Sequence, residues 1–427
     1  MSRVNTISPG VSGYDFDDGA ILFVEHTREL LRLNPTGAVI WHGLRAGLPF
    51  QEIVSSLVHV TGTPAVAIEQ DVAALINDLE GVGVLQANRL IRRSNSSITG
   101  ERYPTQKEPA RPYQGSHVRD HKSAEHSYQL VDFRFRLRTP PGSIASEAAR
   151  LFSHVHLSDK SGSSVVVELM EDGNEWLLLY DDVLVDRCSS SGAVIPMLHA
   201  NVLLTAYRTS GCMAALHAAA VIRNDTCVLM PGASGSGKTT LTAAAVAYGF
   251  QYCSDDLTLL THEPVRIRPV STCLGLKSGS WNVLAGLFPQ IHELPIHVRI
   301  DGKKIRYLPP GAGIAQTPAS YAVTRLVFPV WTPGSAPACR KIGTAEALER
   351  LTASGYDLPN RINSEVVAGL IRYISQMQCF ELRYDSTQDA VRTLSILCDQ
   401  TTVAGPVSIS TFDLFRNEPK RDIRDKS

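Results

Sequence analysis

Ala20-Ile21-Leu22-Phe23-Val24 is an unbroken apolar run of strand length, and a second short run, Leu30-Leu31-Arg32-Leu33, ends at Asn34-Pro35. Two helical patterns follow, then a cleaner third. In it Ile68, Val72, Leu75, Ile76 and Leu79 recur at i, i+4, i+7, i+8 and i+11, one apolar stripe closed by Gly81 and Gly83. Residues 13–87 are therefore expected to form a compact α+β module, too small to hold an elaborate active site.

The pattern then changes three times. Residues 88–127 are polar, with Arg92-Arg93-Ser94-Asn95-Ser96-Ser97 and few aliphatic residues, and read as a flexible linker. Residues 128–210 are expected to be strand-rich: Val131 to Leu137 alternates apolar and polar, and Val165-Val166-Val167 and Trp176 to Tyr180 follow. From about 211 to 410 strands and helices alternate, the sequence form of an α/β sheet with helices on its faces. The charged stretch at 411–427 reads as a frayed tail.

Composition narrows the class. The chain has 427 residues, 44% hydrophobic and 19% charged, so each unit can bury a core, and the net charge of −1 lacks the basic field of a nucleic-acid binder. No apolar run approaches the ~20 residues that span a bilayer, and no signal-like N-terminus is present. The eight cysteines are scattered, without zinc-ligand spacing. These features lead to the expectation of a cytoplasmic protein with reduced thiols, no membrane and no nucleic-acid partner. A homo-oligomer is left open.

The chemistry concentrates in Gly232-Ala233-Ser234-Gly235-Ser236-Gly237-Lys238-Thr239, which satisfies G-x-x-x-x-G-K-[ST] at every required position. The apolar run Thr226 to Met230 precedes it, and an alanine-rich segment opening with Thr240 follows. Strand, glycine-rich turn and helix thus come in the order a phosphate cradle needs. Glycines let successive N–H groups turn inward on phosphates, and the helix adds its positive end. Lys238 supplies a mobile charge and the Thr239 hydroxyl a magnesium ligand, so Gly232 through Thr240 are the expected ATP-binding residues.

Farther on, Asp255-Asp256 interrupts a strand pattern running from Tyr252 to Leu260. One acid could bind Mg2+, with Asp255 the metal candidate, while the other accepts the proton of an attacking hydroxyl, a base role open to either Asp255 or Asp256. Successive residues of a strand point to opposite faces, so both line one pocket only if the strand ends there. His217 sits in an apolar stretch just before the cradle strand, where a polar group needs a reason. It could orient an aspartate or sense phosphate, or be a satisfied core residue. Lys238, Asp255, Asp256 and His217 are the catalytic candidates. Lys277, Lys303 and Arg306 are cations that could also clamp phosphate.

His217, the Gly232–Thr239 turn and the Asp255-Asp256 pair together resemble the HPr serine kinase/phosphorylase family, over roughly Val131 to Cys398. The resemblance implies a P-loop kinase fold in which one aspartate accepts a proton and the histidine supports the site. The family's second metal-binding carboxylate and its Pro/Gly-rich segment have no counterpart here, which argues against HPr as substrate and against the reverse reaction.

The N-terminal module resembles the PqqD-like domains of ribosomal peptide natural-product biosynthesis. Leu33-Asn34-Pro35-Thr36-Gly37, Ile40-Trp41, Glu52-Ile53-Val54, Asp71-Val72, and Leu79 with Gly81, Gly83 and Leu85 carry the match. It implies a winged-helix-like fold in which a precursor's leader peptide adds as a strand, here along Glu29 to Leu33, and packs on the third helix. The fusion leads to the expectation of an ATP-dependent kinase acting on a Ser or Thr hydroxyl of a leader-bearing peptide. A small-molecule kinase, a carboxylate-activating enzyme and a non-catalytic, nucleotide-switched peptide escort are the alternatives.

Overall fold

A computed structural model describes residues 6–86, 124–158, 162–262, 264–311, 313–315, 319–357 and 364–399. The first unit holds β1 (Val11–Phe16), β2 (Gly19–Val24), β3 (Glu29–Leu33), α1 (Pro35–Arg45), α2 (Phe50–Thr61) and α3 (Ala65–Gly81), its antiparallel sheet ordered β1-β2-β3. Asn34 ends β3 and caps α1, its side-chain oxygen accepting from the Gly37 N–H at 2.7 Å, with Pro35 in the first turn.

The second unit begins at β4 (Ala124–Leu130), so residues 124–127, expected to be linker, are strand; residues 88–123 lie outside the described residues. Then come β5 (Phe133–Thr139), α4 (Ser143–Leu151), β6 (Val165–Asp172), β7 (Glu175–Tyr180), β8 (Val183–Cys188) and α5 (Ser191–Thr209), the five strands pairing in sequence order. Along β5 burial alternates as the apolar pattern does: Phe133, Phe135 and Leu137 face a core that also takes in α4 and α5.

The third unit contains β9 (Ala214–Leu216), β10 (Ala218–Arg223), β11 (Thr226–Pro231), α6 (Lys238–Ala247), β12 (Gln251–Ser254), β13 (Thr258–Leu260), β14 (Ile267–Arg268) and β15 (Leu274–Lys277). It continues through α7 (Ser278–Leu284), β16 (His297–Val298), β17 (Lys304–Leu308), β18 (Val323–Trp331), β19 (Ala338–Ile342), α8 (Thr344–Ser354), β20 (Tyr356–Asp357), α9 (Ser364–Ser375), β21 (Gln378–Tyr384) and α10 (Thr387–Asp399). The main sheet runs β12-β10-β11-β18-β21-β19, parallel at β11-β18-β21 and antiparallel at both edges. Two smaller sheets, β14-β13-β9-β20 and β15-β17-β16, lie beside it. Residues 400–427, including the expected tail, lie outside the described residues.

Strand periodicity assigns the faces of the main sheet. On β10, Ala219 and Val221 join a core with α6 and α10, while Ala218, Ala220 and Ile222 join another with α8 and α9. That second core also takes in Ile21 and Phe23 of β2, with Tyr14, Phe16 and Leu30 packed against it. Ala20, Leu22 and Val24 face the module's own helices. All six residues of β2 are buried. The unalternating run in the sequence thus reflects cover on both faces, which is common in parallel sheets and unusual for a small antiparallel one. The layers stack as α6/α10, main sheet, α8/α9, N-terminal sheet, α1–α3.

Polar contacts hold the stack in register. The Asp18 carboxylate, in the β1–β2 turn, accepts from the N–H groups of Ala345 (3.0 Å) and Glu346 (2.9 Å), and Arg32 of β3 pairs with Glu349 at 2.7 Å. Gly343 precedes α8 and offers no side-chain cap, and a Cβ there would overlap the Asp18 carboxyl. A side chain more than three hundred positions away therefore caps α8, an interaction that contributes about 1 kcal/mol.

Candidate active site

The Gly232–Thr239 segment lies between β11 and α6 as a tight turn. Gly235 (φ +96°) and Gly237 (φ +91°) occupy the left-handed region, where a β-carbon is strained, and a Cβ on Gly237 would also collide with the Tyr384 hydroxyl. The first turn of α6 has no side-chain cap, so its N–H groups are free to meet an anion. Lys238 is buried, with Nζ donating to the carbonyls of Gly232 and Ala233. Burial holds its pKa below the ordinary lysine value, opposed by Asp256 and Asp255. Thr240 Oγ1 lies 2.6 Å from Ser280 Oγ and ties α6 to α7.

Two neighbouring strands change sheets at the same level. One path leaves the four-stranded sheet as β9 and joins the main sheet as β10, with His217 at the junction. The other leaves the main sheet as β12 and joins the smaller one as β13, with Asp255 and Asp256 in the gap. Ala220 pairs with Ser254 on one side of the switch and Leu216 with Thr258 on the other, so the junctions lie side by side. Ser254 Oγ to Thr258 Oγ1 (2.6 Å) and Thr258 Oγ1 to the Ala218 carbonyl (2.9 Å) cross-link them. The strand does end at the acids, which removes the objection that they must face opposite ways.

The two aspartates differ sharply. Asp255 is 2% exposed and neither carboxylate oxygen has a partner at hydrogen-bond geometry among the described residues, although Thr239 and Lys238 lie near enough to favour its ionised form. Burial, reinforced by Asp256, drives its pKa well above the ordinary carboxylate value. The Asp256 side chain is 39% exposed, with Oδ1 3.9 Å from His217 Nε2. The other ring nitrogen, Nδ1, donates to the Ser354 carbonyl at 3.0 Å. Burial and the nearby Lys238 lower the His217 pKa, so the neutral ring is favoured.

A buried carboxylate with unpartnered oxygens beside a threonine hydroxyl is a donor set suited to a hard divalent cation. Among the described residues no cluster of three or more His, Cys, Asp or Glu forms a metal site by itself, so such an ion would need further oxygens from a ligand.

Of the three further cations, only Lys277 belongs here, its Nζ donating to Ser234 Oγ at 2.8 Å. Lys303 pairs with Asp301 on an exposed turn. Arg306 is buried against Trp281, 4.4 Å from the ring centroid, and donates to the Ile291 carbonyl, a structural role. His199 on α5 escaped sequence reasoning. It is buried, its Nε2 lacks a hydrogen-bond partner among the described residues, its ring lies 5.0 Å from that of Tyr307, and burial pushes its pKa to about 4 against the pull of Asp256. Nothing in the local pattern of a buried helix distinguishes it.

Residues 19–85 match the family model described as coenzyme PQQ synthesis protein D (PqqD), and this part of the chain is a PqqD domain. No curated protein matches the chain. Among solved structures, TbiB1 in complex with the TbiA(beta) leader peptide is 24% identical, covering 20% of this chain and 98% of that one at a TM-score of 0.19. Lasso peptide synthetase B1 complexed with the leader peptide is 25% identical, covering 20% and 100% at a TM-score of 0.19. The Hpr(Ser) kinase/phosphatase from Coxiella burnetii is 12% identical, covering 43% and 93% at a TM-score of 0.21. No helix among the described residues is long and apolar enough to cross a membrane.

Proposed function

We propose that this chain is an ATP-dependent kinase that phosphorylates a Ser or Thr hydroxyl on a peptide whose leader segment is captured by the PqqD domain. One observation carries the reading: the strand switch sets the half-exposed Asp256 and its partner His217 beside the buried Asp255, Lys238 and the Gly232–Thr239 turn, in a chain that begins with a PqqD domain.

In this reading the N–H groups of the turn and the first turn of α6, with Gly232 to Thr240 around them, hold the ATP phosphates. Lys238 leaves its loop carbonyls for the β- and γ-phosphates, and Lys277, held at Ser234, adds a second cation. Asp255 and Thr239 would hold Mg2+, which neutralises phosphate charge when bound.

The acceptor oxygen attacks the γ-phosphorus, its proton passes to Asp256, and the bond to the β-phosphate oxygen breaks to leave ADP and a phosphoester. A carbonyl only accepts, so the Ser354 contact places the His217 proton on Nδ1 and leaves the Nε2 lone pair toward Asp256, where it can take the proton on. Leader capture would raise the local concentration of the acceptor.

The test is incubation of the full chain with ATP, Mg2+ and a leader-bearing precursor peptide, read by intact mass. Gain of one phosphoryl group on a Ser or Thr is expected. Loss of water, or an unchanged peptide mass, would overturn the reading.

A further inference from the structure

The docking contact of the N-terminal domain and the catalytic cluster sit at opposite ends of one helix. The eleven residues of α8 rise about 16 Å. At the first end Asp18 takes the N–H groups of Ala345 and Glu346, and one turn along Arg32 holds Glu349. At the last, the Ser354 carbonyl accepts from His217 Nδ1 and the Gly355 carbonyl from the His217 backbone N–H, both at 3.0 Å. The chain leaves α8 through Gly355 (φ +95°) into β20, which pairs directly with β9 at Leu216, the residue before His217.

We infer that α8 transmits the seating of the N-terminal domain to His217, making Asp18 a positioning residue for the phosphotransfer step. The i to i−4 ladder makes a helix stiff along its axis, so a shift at the capped end reappears at the far end as a rigid displacement. His217 is sensitive to such a shift because, among the described residues, the Ser354 carbonyl is the contact at hydrogen-bond distance that holds the proton on Nδ1. The Asp256 carboxylate, 3.9 Å from Nε2, pulls the other way by favouring a proton on Nε2, so a small loss of the Ser354 contact is enough to tip the ring. The strand expected to receive a leader, β3, carries Arg32 and packs on the same helix, so leader capture and the orientation of His217 share one element.

The effect on turnover rests on the kinase reading; the effect on the ring does not. The test uses the full chain labelled with 15N-histidine, with the His217 signals assigned from His217→Gln. In the wild type the Nδ1-protonated tautomer should dominate. Asp18→Ala and Gly343→Ala should both mix in the Nε2-protonated form. Each should also lower kcat on a leaderless acceptor peptide about ten-fold while KM for ATP stays within about two-fold, as expected for a small misplacement of a catalytic group. Asp18→Asn keeps one side-chain acceptor and should recover most of both signals. Gly355→Ala, which disturbs the other end of α8 directly, should reproduce the tautomer change and so verify that the spectrum responds.

If Gly355→Ala moves the His217 signals while Asp18→Ala and Gly343→Ala leave both spectrum and leaderless turnover at wild-type values, the link is refuted and the N-terminal domain is a passive tether. If the wild type transfers no phosphoryl group, the kinase reading fails, and the tautomer shift still decides whether α8 couples the two ends.

Discussion

Lys277 Nζ lies 2.8 Å from Ser234 Oγ, so the last residue of β15 reaches the middle of the glycine-rich turn and brings a second cation to it. Lys238 is buried and committed to loop carbonyls, whereas Lys277 is an outer, solvated charge. The two should therefore fail differently when removed.

For Lys277→Ala the expected outcome is a rise of roughly ten-fold in KM for ATP with kcat changed less. This is the size of one lost charge-assisted contact to phosphate. Steady-state ATP hydrolysis measures it; an unchanged KM would place Lys277 outside the nucleotide site.

Lys238→Ala should lower kcat by about 100-fold or more, the usual cost of deleting a charge that stabilises the transition state. Thermal stability should hold or rise, because burial already disfavours the ammonium that is removed. A melt alongside the kinetics separates this outcome from simple misfolding.

The two aspartates should divide. Asp256→Asn is expected to lower transfer by about 10²–10⁴-fold with nucleotide affinity retained, as for a lost general base. Asp255→Asn should instead raise the Mg2+ concentration needed for half-maximal activity. A pH signature accompanies it. The folded-state pKa of Asp255 is raised, so the stability it contributes is present below the unfolded carboxylate value of about 4 and is lost as pH rises through the folded value. Without metal, the wild type should lose stability relative to Asp255→Asn as pH rises above about 4. Urea melts at several pH values measure the difference, and Mg2+ should narrow it.

Phe23→Ala should destabilise the entire molecule by about 3–5 kcal/mol, because this fully buried ring belongs to the core shared with α8 and α9. Calorimetry should show one cooperative transition in the wild type. Two separated transitions would mean that the shared core does not join the parts energetically.

The candidate site was more legible than the way the parts fit. The Gly232–Thr239 spacing, the acid pair and the His217 position are local facts, since residues at fixed short intervals can be read without the fold. The stripe from Ile68 to Leu79 and the alternation from Val131 to Leu137 are equally local, and α3 and β5 appear there. What stayed hidden depends on contacts across more than three hundred positions. Asp18 is an ordinary turn acid until Gly343 meets it. The Ala20–Val24 run did carry a trace, since a small antiparallel strand with one wet face would alternate. The strand switch left no trace, because β9 to β10 and β12 to β13 each read as one continuous strand with a polar break.

The contact between Asp18 and Gly343 bears on how freely such chains can be recombined. A small domain would be an exchangeable part if chain connectivity alone held it to its neighbour. Here the part ends in a joint cut to shape: an acid at the β1–β2 turn, a residue without a side chain facing it, and Ile21 and Phe23 fitted to α8 and α9. A foreign domain spliced on with its leader-binding strand intact but this joint unmatched would leave α8 uncapped and an apolar surface wet. Successful chimeras should be those that carry the joint across with the domain.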